Sequence, residues 1–156
     1  GVSGDDTNAW YAEAGWTFAD APWAPSVNYR FTRYDEGYDP LFFGFSRGYG
    51  TWFQGEVAAN YAGPFGTGTD INYLGVTAHP TEMLTVGAGY FNFEDKNDTD
   101  AVDLSANELN IWAEWVAMDH LIISPVLGFY TPDSANSSQG NDNTNTYAQI
   151  IAIVPF

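Results

Sequence analysis

The sequence predicts an all-β fold, an antiparallel transmembrane β-barrel wall of about eight strands forming one domain over residues 1–156. Three observations predict it. Apolar residues recur with period 2 in runs of roughly 8 to 11 residues, punctuated by Gly, Pro, Asn and Asp. The connections between runs alternate between tight and long. Aromatic residues gather near the run ends, at Trp10, Tyr11, Trp52, Phe53, Tyr61, Tyr90, Phe91, Trp112, Trp115, Phe129, Tyr130 and Phe156, where an interfacial girdle would anchor a barrel at headgroup level.

In the first run Trp10, Ala12, Ala14, Trp16 and Phe18 share one face and Tyr11, Glu13 and Thr17 the other, as the pleat of a strand requires. Val27, Tyr29 and Phe31 likewise oppose Asn28, Arg30 and Thr32. A third run sets Phe53, Gly55, Val57, Ala59 and Tyr61 against Gln54, Glu56 and Asn60. Next, Leu74, Val76 and Ala78 oppose Tyr73, Gly75 and Thr77, and Leu84, Val86, Ala88 and Tyr90 oppose Thr85, Gly87 and Gly89. Leu109, Ile111, Ala113 and Trp115 face away from Glu108, Asn110, Trp112 and Glu114. Residues 121–130 and 147–156 complete the set, each long enough for the ~9 to 11 tilted residues that cross an outer membrane.

Residues 79–83 and 117–120 read as tight turns, whereas 93–107 and 131–145 are long, polar and rich in Asp and Asn. Barrels place short turns on the periplasmic side and long loops outside. With Phe156 at the periplasmic rim, counting strands backward puts all four connections on the expected sides. The connection 35–50 is the exception, being long and rich in Gly and aromatics where a short periplasmic turn is expected. Its Leu41, Phe42, Phe43 and Phe45 are costly in water, so with Arg47 they are expected to constrict the periplasmic mouth of the lumen. The competing reading extends the flanking strands and turns these residues to lipid.

Composition excludes several classes. Twenty acidic residues face only Arg30, Arg33, Arg47 and Lys96, for a net charge of -16, so a nucleic-acid backbone would be repelled. The 17% aromatic content, falling within regular runs, argues against disorder despite the acidity. There is no cysteine, hence no disulfide framework or thiolate metal site, and no apolar run approaches the ~20 residues of a membrane-spanning helix. The chain opens on Gly1, which suits a processed product or a piece of a longer protein.

The last ten residues, YAQIIAIVPF, place Ala148, Ile150, Ala152, Val154 and a terminal Phe156 on one face, with Tyr147 opening the run. This resembles the C-terminal strand signature that the barrel-assembly machinery reads, and it implies that Phe156 is the true C-terminus. A second resemblance is densest in residues 38–56, YDPLFFGFSRGYGTWFQGE, and extends to HPTEMLT at 79–85, GYFNF at 89–93 and ELNIWAEW at 108–115. These segments are similar to the alginate-export family. That resemblance implies an outer-membrane barrel of about eighteen strands, of which this chain supplies the C-terminal third to half, passing a polysaccharide or small solutes. The alginate-conducting members line their pores with arginine. Here Arg30 stands against Glu13, Glu56 and Glu114, and a wall of that sign repels a polyuronate.

No nucleophile with an adjacent base is present, and no enzymatic activity, cofactor or metal site is expected. His79 and His120 fall in separate tight turns and read as solvated. The acidic stretch at 95–100, with Asp103, lacks the sixth-position Gly and terminal Glu of a calcium loop and reads as a solvated loop. The expected function is a passive channel in the bacterial outer membrane, in contact with lipid and lipopolysaccharide. Its selectivity would be set by Glu13, Asn28, Arg30, Gln54, Glu56, Asn60, Asn110 and Glu114 on the lumen face. The rival is a small closed eight-stranded barrel, filled by side chains, with a structural or adhesive role.

Overall fold

The computed structural model describes residues 7–38, 55–58, 68–97 and 102–155. They form a seven-stranded antiparallel sheet of β1 (Ala9–Thr17), β2 (Ser26–Tyr34), β3 (Thr69–Thr81), β4 (Leu84–Asp95), β5 (Ala106–Met118), β6 (Leu121–Pro132) and β7 (Asn145–Ile153). Strands neighbour one another in chain order, leaving β1 and β7 as the two edges. Among the described residues no helix is long and apolar enough to cross a membrane.

The register keeps the two patterned faces separate. Directly opposed residues lie on one face, so one row runs across all the strands through Glu13, Arg30, Tyr73, Phe91, Glu108, Tyr130 and Asn145. The adjacent row, on the opposite face, is Ala14, Tyr29, Leu74, Tyr90, Leu109, Phe129 and Thr146. The first face buries polar and charged residues beside apolar ones such as Ile71, Phe91, Phe93 and Val126, whereas the second leaves large apolar residues uncovered. Arg30, Glu108, Asn110 and Ser124 are buried, while Leu74, Val76, Ile111, Leu127 and Ile150 are exposed. We call the first the covered face and the second the bare face.

The connections also sort by end. The longer ones, 35–68, 96–105 and 133–144, leave at one end, and the shorter ones, 18–25, 82–83 and 119–120, at the other. The β3–β4 turn is closed by Thr81, whose Oγ1 accepts the Met83 N–H at 3.3 Å. In the β1–β2 turn Trp23 and Ala24 adopt φ of 67° and 42°, uncommon for residues with a Cβ. The turn is tied to β3 by the His79 N–H, which donates to the Trp23 carbonyl at 2.8 Å and leaves the indole exposed.

Two expectations change here. The run 53–61 adds no strand between β2 and β3: its described residues, 55–58, form a buried turn, and β2 pairs directly with β3, so the described residues form seven strands where about eight were expected. Gly55 sits at φ 87°, a conformation that leaves the extended region and suits glycine. In consequence the long connection after β2 spans 35–68 and leaves at the same end as the other two long loops, so the anomaly on the short-turn side disappears. Leu41, Phe42, Phe43, Phe45 and Arg47 lie outside the described residues, as do Gln54, Asn60 and Phe156.

Candidate functional site

The covered face is densest toward the loop end, where segment 55–58 lies over it. Val57 and Ala58 are buried with Ile71, Tyr73, Phe91, Phe93 and Tyr130 in one apolar cluster. Phe91 packs at 4.6 Å from Tyr73 and 5.9 Å from Phe93, centroid to centroid. The Arg30 guanidinium lies 4.8 Å above the Tyr73 ring, a cation–π contact that suits a cation only 2% exposed.

Glu108, fully buried, holds the segment in place. Its Oε1 accepts the Val57 N–H and its Oε2 the Ala58 N–H, each at 2.7 Å, and Asn110 Nδ2 donates to Oε1 at 2.9 Å. A carboxylate removed from water needs such donors, and charge-assisted bonds to backbone N–H groups are among the stronger ones. The fit depends on two missing side chains. A Cβ on Gly55 would stand 2.6 Å from Glu108 Oε2, and one on Gly128 would stand 2.6 Å from a Val57 methyl. Elsewhere on this face Tyr73 lies over Gly75 and Trp112 over Gly87, so that a Cβ at either glycine would overlap the ring.

Toward the turn end the covered face carries smaller polar groups. Asn28 Nδ2 donates to Glu13 Oε1 at 2.9 Å, the Ser26 and Thr77 hydroxyls are hydrogen-bonded to each other, and Glu114 is half-buried. Five of the sequence-predicted lining residues, Glu13, Asn28, Arg30, Asn110 and Glu114, therefore share this one surface. Glu56 is buried too, but on the inserted segment rather than on a strand. Sequence reasoning missed Glu108 as an organising residue. It placed Glu108 on the polar face, yet nothing in the alternation distinguishes it from Glu114. In β7, Tyr147 lies on the covered face, while Ala148, Ile150 and Ala152 lie on the bare one.

The bare face is banded. Nearest the loop end is a charged network in which Arg33 binds Asp70 through Nε at 2.7 Å and Nη2 at 2.5 Å, and Lys96 binds Glu94 at 2.5 Å. Below it comes an aromatic band. Trp10 packs against Phe31 at 5.3 Å, and the Tyr29 and Tyr90 hydroxyls donate to Asn72 and Asn107 at 2.7 and 2.6 Å. At the turn end Trp16, Phe18, Trp23, Trp115, Met83 and Met118 are exposed. Between the bands lie Val27, Leu74, Val76, Ile111 and Leu127, with a groove of about 600 Å³ where Ala78, Ala88 and Ala113 leave room. Among the described residues no charged side chain projects from this face between the bands.

Of the residues considered for metal binding, Asp95 ends β4 and ties the loop that follows, whereas His79, expected in a tight turn, lies within β3 beside Thr85 of β4. Asp95 accepts the N–H groups of Asn97 and Leu104, each at 2.9 Å, and His79 Nδ1 lies 3.1 Å from Thr85 Oγ1. Compared with known proteins, the chain matches no family model, no curated protein and no solved structure.

Proposed function

We propose that this sheet is part of the wall of an outer-membrane β-barrel, and that the protein is a porin-like channel for passive diffusion of small solutes or export of a polysaccharide. The observation that carries this reading is an apolar face bare to its surroundings and bounded by two aromatic bands, backed by a face that buries Arg30 and Glu108 among aromatic residues. In water such a bare face is a large exposed apolar patch. In a bilayer it is the lipid contact. β5 as a whole runs 13 residues, twelve steps or about 41 Å at ~3.4 Å each, and at a tilt of ~35–45° it rises about 29–33 Å, enough to cross an apolar band of ~25 Å.

On this reading the loop end faces outward, and segment 55–58 lies inside the lumen as a constriction anchored by Glu108. The mechanism is electrostatic filtering by fixed charges. Glu13, Glu108 and Glu114 on the strands, with Glu56 on the inserted segment, outweigh Arg30, so the lining favours cations and neutral solutes over polyanions. The bare face contacts lipid and lipopolysaccharide, and β7 engages the barrel-assembly machinery during biogenesis. Reconstitution into planar lipid bilayers under a KCl gradient tests the proposal. Stepwise conductance with a reversal potential of cationic sign is expected, and an absence of conductance or an anionic sign overturns it.

A further inference from the structure

We infer that the loop end of the bare face, along β2, β3 and β4, is a binding site for the phosphorylated sugar headgroup of an outer-leaflet glycolipid. Arg33 and Lys96 take the phosphate, and Asn72 and Asn92 take the sugar hydroxyls. The inference rests on the barrel reading, which sets this face against lipid, and deepens it by naming the lipid chemistry and the residues that hold it.

The chain has four basic residues against twenty acidic ones, and two of the four meet here. Both converge on Asp70, Arg33 through Nε at 2.7 Å and Nη2 at 2.5 Å, and Lys96 through Nζ at 3.8 Å. That carboxylate is only 6% exposed, whereas both cationic side chains are 44% exposed. One buried anion therefore fixes two cations whose outer sides face the surroundings. A guanidinium has five N–H donors, and Asp70 takes two of them. Its plane is held as well, because it lies 5.5 Å from the Phe31 ring, which packs on Trp10. A fork fixed by a carboxylate and a ring suits the bidentate geometry of phosphate. Lys96 also binds the exposed Glu94 at 2.5 Å, so the four charges cancel. A phosphate monoester carries more negative charge than a carboxylate and three acceptor oxygens, and it gains by taking the place of Glu94 on Lys96.

Asn72 and Asn92 oppose each other two residues below Asp70 and Glu94, about 7 Å along the strands at ~3.4 Å per residue. The Tyr29 hydroxyl donates to Asn72 Oδ1, and Asn92 Nδ2 donates to Asn107 Oδ1. Both amides are thereby oriented, leaving Asn72 Nδ2 as a donor beside Asn92 Oδ1 as an acceptor. A sugar hydroxyl, which both donates and accepts, requires such a pair. Farther down, the same strands turn apolar through Leu74 and Tyr90, and the groove begins at Val76 and Ala88. Phosphate, hydroxyl and acyl chain would thus meet cations, amides and apolar residues in that order. A glycerophospholipid leaves the amide pair unused, and a free phosphate has no use for the apolar strip.

The test uses the protein isolated from outer membranes at its natural length and stripped of lipid in detergent, with native mass spectrometry counting bound lipid in the presence of EDTA. Lipid A carrying its phosphates should bind at least about tenfold more tightly than dephosphorylated lipid A or phosphatidylglycerol. Lys96→Gln should weaken that binding about tenfold. Glu94→Gln, which removes the competing carboxylate and leaves Lys96 in place, should strengthen it, whereas a merely structural ion pair predicts a loss from both variants. Asn72→Ala combined with Asn92→Ala should weaken lipid A and leave phosphatidylglycerol unchanged. Arg33 stays intact throughout, since it neutralises Asp70. Equal binding of the three lipids overturns the inference. Binding that vanishes with EDTA overturns it too, by showing a divalent-ion bridge to the acidic residues, as does displacement by inorganic phosphate alone, which shows a site for the free anion. Carbonate extraction of the same membranes tests the barrel reading separately: release into the aqueous phase sinks that reading, whichever lipid is bound.

Discussion

Glu108 shows how a buried charge can be an anchor instead of a liability. Its carboxylate faces aromatic rings, yet its oxygens are occupied by two backbone N–H groups and the Asn110 amide. Removing it exposes those donors to an apolar pocket, and each unsatisfied donor costs about 1–3 kcal/mol. Glu108→Ala should accordingly destabilise the folded protein by about 2–5 kcal/mol. Glu108→Gln should cost less, because the amide oxygen still accepts one N–H while its NH₂ confronts the other. Urea unfolding in detergent micelles, followed by tryptophan fluorescence, measures both, and equal losses would show that the paired geometry is unimportant. Gly87 presents the converse case, a site defined by what it lacks. Gly87→Val drives a side chain into the Trp112 ring and should cost about 1–3 kcal/mol in the same assay, with a shift in the emission of that indole.

At the level of the strand, the bare face of β5 distinguishes a bilayer from water. Ile111 lies midway between the aromatic bands and Asn107 at the upper one. In a bilayer the cost of an outward Arg depends on depth, so Ile111→Arg should cost about 2–4 kcal/mol and Asn107→Arg about 0–1 kcal/mol. Folding titrations into lipid vesicles measure this difference. A soluble sheet exposing the same face predicts nearly equal, small effects at both positions. The sequence runs coincide with all seven strands of the sheet, and the alternation put Glu13, Arg30 and Asn110 on the one face they share. It misled at 53–61 because period 2 reports which residues seek an apolar environment, and a buried turn can satisfy Val57 as well as a wall strand can. The tie from Val57 and Ala58 to Glu108 joins residues about fifty positions apart. No local pattern encodes such a pairing. Only Gly55, a breaker inside an apparent strand, signalled it locally.

At the scale of the whole molecule, the channel proposed above would owe its response to salt to the charge on the covered face. Glu13, Glu108 and Glu114 on the strands, with Glu56 on the inserted segment, stand against the single guanidinium of Arg30 on this face. Fixed charges act over about one Debye length, ~10 Å at 0.1 M and ~3 Å at 1 M salt. At 0.1 M their field reaches well into a narrow passage, and at 1 M it is confined to the wall. Cation preference measured as a reversal potential should therefore be clear at low salt and fall toward that of free solution at 1 M. Glu13→Gln combined with Glu114→Gln should lower the low-salt preference while leaving the 1 M conductance within about twofold, since it is Glu108 that accepts the Val57 and Ala58 N–H groups and holds the inserted segment. A selectivity that is unchanged across this salt range would mean that pore width and short-range contacts, not the fixed charge of this face, decide what passes.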